Sequence, residues 1–193
     1  MYVIGFLFIL YLIPPFVFRI HGFIFPQLKG RSIISDAKVY SPWWGGHQVQ
    51  LLYIAFPAFE AALRLFPGFY SAWLRLWGAK VGRRVYWTPR VEILDRNLMD
   101  IGDEVVFGHR VVCVSHVIDQ TSDGSLLLYV KPIQIGDGVF IGAGSSIGPG
   151  CVIEAGVRLD AFSMVKLNEK RSLNRTASWL EFSFRLHWCF EFA

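Results

Sequence analysis

From Val81 onward, large apolar residues recur at every sixth position, and no other feature restricts the fold as strongly. Hexads written with the apolar residue first begin at Val81, Trp87, Ile93, Ile101, Phe107, Cys113, Tyr129, Ile135, Ile141, Ile147, Ile153 and Leu159. Their fifth positions, from Val85 to Ser163, are small or β-branched, with Asn97 the exception. Glycine often stands second, as at Gly82, Gly102, Gly108, Gly136, Gly142 and Gly148. An amphipathic helix repeats at about 3.6 residues and cannot sustain this pattern. One short strand and one tight turn per hexad can. The first and fifth side chains then point inward, and glycine relieves the turn. Three hexads close a triangular coil, so the twelve predict about four coils stacked as parallel strands. A single coil cannot bury its own inner face, so stacking is obligatory. The register slips at Met99-Asp100 and again at an excursion over residues 119–128.

The predicted fold class is therefore mainly β, with a coiled domain over 81–166. Residues 1–38 read as a hydrophobic, membrane-associated segment, because Tyr2 to Phe18 is almost unbroken apolar sequence. Pro14 and Pro15 interrupt it, which fits a kinked or re-entrant helix as well as a straight span. It has neither the basic start nor the small-residue cleavage site of a secretory signal. Arg19, Lys29, Arg31 and Lys38 follow, which places the rest of the chain on the cytoplasmic face by the positive-inside tendency. Residues 39–80 read as aromatic, amphipathic helices broken at Pro67-Gly68. Trp43, Trp44, Trp73 and Trp77 lie there and suit a lipid headgroup boundary, or else pack on the coil. Residues 167–193 form a tail in which every even residue from Leu180 to Phe192 is large and apolar, the pattern of a half-buried strand.

Composition closes off other functions. Hydrophobic residues make up 53% of the 193 and charged residues 18%, a balance that leans towards a membrane-associated protein. The net charge of +4 is spread out, and no Lys/Arg stripe alternates with aromatics, so nucleic acid is not an expected partner. Cys113, Cys151 and Cys189 match no zinc spacing and read as buried structural thiols in a reducing compartment.

The run Ile135-Gly-Asp-Gly-Val-Phe-Ile-Gly-Ala-Gly-Ser-Ser-Ile-Gly-Pro-Gly150 resembles the repeats of hexapeptide acyltransferases. Leu74-Arg-Leu-Trp-Gly-Ala-Lys-Val-Gly82, Asn97-Leu98 and the Ser115-His116 pair are similar to the colanic-acid-type O-acetyltransferases within that group. The resemblance implies a left-handed parallel β-helix, an acetyl-CoA or other acyl-CoA co-substrate, and a homotrimer with sites between subunits. It implies that His116 acts on the acceptor. It also implies that Phe140, Gly142, Ala143, Gly144 and Ala161 line the pantetheine arm, with Lys166 near the phosphates. Lys170 and Arg171 share that basic stretch. The sequence departs from the family in three places. No Gly-Asn-Pro-Ala-type loop follows the coil, Val117 stands where an Asp usually follows the histidine, and Phe140 replaces a common Trp.

His116 occupies the fourth position of its hexad, an outward turn, and immediately precedes the excursion. A neutral imidazole there suits removal of a proton from an acceptor hydroxyl on a sugar, glycan or lipid-linked acceptor. Asp119 and Glu92 are the carboxylates proposed to orient it. Two other functions remain open. One is a non-catalytic membrane-bound assembly module, which the missing loop favours. The other is a carbonic-anhydrase-like metal enzyme, but no metal site is expected. His109 and His116 lie seven apart, off the repeat, and no third histidine falls within the hexads.

Overall fold

A computed structural model describes residues 2–27, 29–34 and 40–173. The expected strand over Leu180 to Phe192, Lys38 and Cys189 lie outside the described residues. The chain opens with two helices end to end, α1 (Tyr2–Tyr11) and α2 (Ile13–Ile24), parted only at Leu12. Pro14 falls in the first turn of α2, where its missing N–H costs nothing. Gly5–Ile24 is long and apolar enough to cross a membrane, with mean hydropathy 1.8 and 17% of its residues buried. Strand β1 (Gly30–Ile33) follows.

Three helices then lie where two are expected: α3 (Pro42–Ala55), α4 (Ala58–Arg64) and α5 (Phe69–Trp77). Pro57 makes the extra break, because a proline disfavours helical backbone in the residue before it. Ser41 caps α3 by accepting a hydrogen bond from the Trp44 N–H at 3.3 Å. Gly78 ends α5 in a left-handed conformation. Arg75 donates to the Val81 and Gly82 carbonyls and ties that helix end to the first coil.

The first coil comprises β2 (Lys80–Val81), β3 (Tyr86–Trp87) and β4 (Glu92–Ile93). A 3-10 turn at Arg96–Leu98 absorbs the slip before β5 (Met99–Ile101), β6 (Val106–Phe107) and β7 (Val112–Cys113). The chain then leaves the coil as an antiparallel hairpin, β8 (His116–Gln120) against β9 (Leu126–Val130), and β1 pairs with the outer edge of β9. It returns as β10 (Ile133–Ile135), β11 (Phe140–Ile141) and β12 (Ser146–Ile147). The last strands are β13 (Val152–Ile153), β14 (Arg158–Leu159), β15 (Met164–Val165) and β16 (Lys170–Arg171). Successive strands visit three parallel sheets in turn, with five, four and four strands among the described residues.

Tyr129 is thus not the first residue of a coil hexad, as the periodicity suggested. It sits in β9, and the excursion runs from 116 to 130 rather than 119 to 128. Coil strands also extend past Val165 to Arg171. The second-position glycines have a different cause from the one expected. At Gly108 a Cβ would come within 2.6 Å of the Ala143 backbone nitrogen on the next coil, so close stacking excludes a side chain there. The positive-φ residues are at the fourth positions, where Gly138, Gly144, Gly150 and Gly156 alternate with Arg84, Glu104, Arg110, Phe162 and Asn168.

The core is continuous from coil to helices. Phe107, Val111, Cys113, Val139, Ile141 and Cys151 are wholly buried, and Trp77 and Leu74 join them from α5. Burial pushes the Cys113 thiol up to about 12. Of the four tryptophans read as suiting either a lipid boundary or the coil, Trp73 and Trp77 belong to this interior, Trp43 is buried in a second cluster with Leu98, Leu128 and Val130, and Trp44 is exposed. The exposed aromatics of the helical region are mostly phenylalanines, including Phe23, Phe56, Phe66 and Phe69.

Candidate active site

Where the hairpin leaves the coil, three elements converge. His116 does not occupy a turn. It is absent from the positive-φ fourth positions, because the chain runs on extended as β8. Directly beneath it lies Asp95. Ile93 pairs with Cys113 across the stacked coils, so Asp95 and Ser115 hold equivalent places two residues further on. The Asp95 carboxylate is 1% exposed and accepts three hydrogen bonds. The Ser115 N–H donates to Oδ2 at 3.0 Å, the His116 Nδ1–H to the same oxygen at 2.6 Å, and the Trp43 Nε1–H to Oδ1 at 3.1 Å. A buried carboxylate so engaged fixes the imidazole tautomer, with the proton on Nδ1 and the lone pair on Nε2.

The third element is α3, whose residues Trp43, Gly46, Gln50 and Tyr53 recur at helical spacing and form its buried face. Trp43 stacks on His47 at 4.8 Å and lies 4.5 Å from the His116 ring. The His47 ring meets that of His116 edge-on at 5.3 Å. His47 Nδ1 is 3.9 Å from Asp95 Oδ1, too far to hydrogen-bond, and is buried without a partner. Burial lowers the His47 pKa. Asp95 opposes that shift, and His116 and Arg96 reinforce it.

A buried ionic network holds α3 and α4 on the coil at this point. Arg96, next to Asp95, pairs through Nε with Glu60 Oε1 at 2.6 Å. Glu60 Oε2 accepts from Arg64 at 2.9 Å and from the Tyr70 hydroxyl at 3.3 Å. Gln50 accepts from the Arg96 backbone N–H at 2.9 Å. Arg96 and Glu60 are almost wholly buried, so losing Glu60 strands the Arg96 charge, whereas Glu60 without Arg96 still has Arg64.

The two carboxylates expected to orient His116 do not. Glu92 and Asp119 are exposed, and Asp119 accepts from its own neighbour, the Gln120 N–H. Asp95 does this work instead. His109 is exposed on another turn, away from the cluster. His47, Asp95 and His116 do offer three ligand atoms within 4.8 Å of one another, a grouping the hexad spacing could not reveal. Both Asp95 oxygens are already engaged by N–H donors.

The residues expected to hold the acyl donor lie elsewhere. Gly142, Ala143 and Gly144 turn between the second and third sheets in the third coil, and Ala161 stacks above Gly142 in the fourth. Phe140 is half-buried on the second sheet, with the Arg158 guanidinium 4.5 Å from its ring centroid. Lys166 is exposed at the turn after β15. Beside Gly144, Phe162 is 83% exposed. His116 stands instead at the corner that closes the third sheet, in the second coil. Within one chain the two groups occupy different corners.

Residues 132–166 match the model of the bacterial transferase hexapeptide (six repeats). That match spans the third and fourth coils. The chain is similar to a hexapeptide-repeat acetyltransferase from Vibrio cholerae O1 biovar eltor, solved with acetyl coenzyme A. Identity is 25%, and the alignment covers 47% of this chain and 51% of that one, with a TM-score of 0.41. The chain thus spans about half of that protein's length. A galactoside acetyltransferase in complex with coenzyme A is 18% identical over 55% of this chain and 74% of its own, with a TM-score of 0.34. A maltose O-acetyltransferase from Clostridium difficile 630 is 17% identical over 61% and 84%, with a TM-score of 0.23. At such scores the superpositions carry no argument about this site. No curated protein matches the chain.

Proposed function

We propose that this protein is an acyl-CoA-dependent acyltransferase, an O-acetyltransferase in the first instance, with His116 as general base and Asp95 as its orienting partner. The reading includes a left-handed coil, a homotrimer, residence at the cytoplasmic face of a membrane, and a sugar, glycan or lipid-linked hydroxyl as acceptor. The observation that carries it is the buried Asp95–His116 pair, set on the same coil whose later residues, 132–166, match the transferase hexapeptide repeat.

The chemistry follows from the pair. The Asp95 carboxylate accepts a hydrogen bond from Nδ1–H, so Nε2 is free to accept the acceptor's hydroxyl proton as its oxygen attacks the acyl carbon. Acyl-CoA supplies an acyl group already activated as a thioester. Carbon–oxygen bond formation displaces the thiolate, which recovers the proton from the imidazolium, and the negative Asp95 stabilises that imidazolium meanwhile. Ser115 is 0% exposed, which argues for direct transfer without an acyl-enzyme.

The small residues Ala143, Gly144 and Ala161 beside the exposed Phe162 ring suit a thin chain such as pantetheine, and Lys166 suits a phosphate. These lie at a different corner from His116, so a site containing both needs a neighbouring subunit. Exposed Phe162, Met164 and Tyr86 on the coil give such a neighbour an apolar surface. A closed ring of three forms from one repeated, heterologous contact. Membrane residence rests on the exposed apolar faces of α1 and α2.

The metal-enzyme reading keeps one supporting observation, the three clustered ligand atoms. A chelator separates the two: transfer proceeds undiminished in EDTA under our reading and collapses under the other. The direct experiment incubates the detergent-solubilised chain with acetyl-CoA and candidate glycans or lipids and follows thiol release. His116→Ala is expected to lower turnover by about 10²–10⁴-fold. Wild-type turnover in that variant, with chemistry rate-limiting, reduces His116 to a packing residue.

A further inference from the structure

A cavity of about 720 Å³ lies between the end of α2, the start of α3, the end of α5 and the first sheet of the coil. That volume suits a small organic ligand. Its apolar walls include Phe18, Phe23, Phe25 and Trp77. Its polar wall is basic: Arg19, Lys29 and Lys80 face one carboxylate, Asp100, which Lys80 meets at 3.4 Å. Arg19 is the telling residue. Its guanidinium lies against Gly78, at the C-terminal end of α5, where a Cβ would come within 2.5 Å of Nη1. A helix C-terminus attracts a cation, which accounts for part of its placement. Yet Arg19 makes no hydrogen bond or ion pair among the described residues, so its donors remain available to a ligand. Asn97 donates to Gln27 at 3.0 Å within the same lining.

The mouth of the cavity borders the apolar surface. Phe23 is 88% exposed, and Phe16, Val17, Ile20 and Ile24 are exposed on the same helix. A ligand matching both halves carries a compact anion and an apolar chain. Guanidinium and ammonium groups that line one cavity recognise phosphate oxygens through charge-assisted hydrogen bonds. The cavity also shares a wall with the His116 site. Leu98 lines it and packs against Trp43, whose ring lies 4.5 Å from that of His116.

We propose that this cavity binds the phosphate headgroup of a membrane amphiphile, the phosphate at Arg19, Lys29 and Lys80 and the chain leaving past Phe23 and Phe25. The proposal rests on the membrane reading above and is independent of the catalytic role of His116. It names the chemical class of a lipid-linked acceptor as a phosphate-bearing one.

The test measures binding rather than turnover, so its failure and that of the acyltransferase reading stay distinct. The full chain in neutral detergent is titrated with dioctanoyl phosphatidic acid, dioctanoylglycerol, glucose 6-phosphate and inorganic phosphate, with native mass spectrometry as the readout. One phosphatidic acid per chain is expected, held at least about tenfold more tightly than dioctanoylglycerol, which lacks the phosphate, and than glucose 6-phosphate and inorganic phosphate, which lack the apolar chains. Arg19→Ala with Lys80→Ala should remove that preference, Arg19→Lys should keep most of it, and Lys170→Ala, on the far coil, should change nothing. Both target side chains lie at the surface, and an unchanged melting temperature shows that the double variant is folded. Equal binding of dioctanoylglycerol overturns the phosphate assignment. Equal binding of glucose 6-phosphate overturns the lipid assignment, and an undiminished affinity in the double variant overturns the site.

Discussion

The coil and the helical cap are built on opposite terms. In the coil each residue's place follows from its position in a hexad, and neighbours are fixed by stacking: Ile135 on Ile101, Ile141 on Phe107, Ile147 on Cys113. In the cap nothing repeats. Trp73 and Trp77 interlock edge-on with Tyr53, and one buried network of Arg96, Glu60, Arg64 and Gln50 joins the helices to the coil. The coil gains stability by many similar apolar contacts. The cap depends on a few irreplaceable ones. The proposed active site lies on the seam, with His116 and Asp95 from the coil and Trp43 and His47 from the cap. A regular scaffold thus supplies a hydrogen-bonded Asp–His pair, and an irregular one supplies the wall around it.

This contrast can be broken first at the network. Glu60→Ala leaves the Arg96 charge buried without its partner, and about 3–5 kcal/mol of stability should go with it. Chemical denaturation measures the loss. An unfolding step for the cap separate from that of the coil would sharpen the division into two regions, whereas a loss under about 1 kcal/mol would erase it.

In the coil the expected penalty is smaller and uniform. Ile141→Val and Ile147→Val each remove one buried methylene from equivalent hexad positions and should each cost about 0.5–1.5 kcal/mol. Their effects should be of similar size, since both hold the first hexad position between stacked coils, Ile141 between Phe107 and Leu159 and Ile147 between Cys113 and Val165. Widely unequal values in denaturant titrations would mean that the coil is less regular than its hydrogen bonding.

The smallest effect concerns pH. Burial holds the His47 pKa below its unfolded value of about 6.5, so the unfolded chain binds more protons once pH falls beneath that value. Stability therefore declines as pH drops from about 6.5 and levels off below the folded pKa. His47→Gln should flatten that part of the profile of melting temperature against pH. An unaltered slope would assign the acid sensitivity to other groups.

The same contrast explains what could be read from the sequence. Period six located the inward residues because stacking dictates them, and Val105, Phe107, Val139 and Ile141 are indeed wholly buried. Tyr129 belongs to a hairpin strand that is apolar at every residue, Leu126 to Val130, and such a run supplies an apolar residue at a hexad's first place as well. His116 was legible from its Ser-His context and its place before the excursion. Asp95 was missed although a signal existed: it stands beneath Ser115 once the coils are aligned through Ile93 and Cys113. Counting along the chain instead led to Asp119 and Glu92. His47 and Trp43 carried no such signal, because only the docking of α3 brings them to the coil. Nor could composition tell core from lipid-facing aromatics, since Trp43, Trp73 and Trp77 satisfy either environment until the packing is known.

The central claim is that Asp95 and His116 act as one unit. A double-mutant cycle on turnover tests it most directly, using Asp95→Asn, His116→Ala and the combined variant with acetyl-CoA and a competent acceptor. If Asp95 acts through His116, Asp95→Asn lowers kcat with KM nearly unchanged, and the combined variant is no slower than His116→Ala alone. Should the two losses instead multiply, Asp95 supports the site independently of His116, and the proposed pair is wrong.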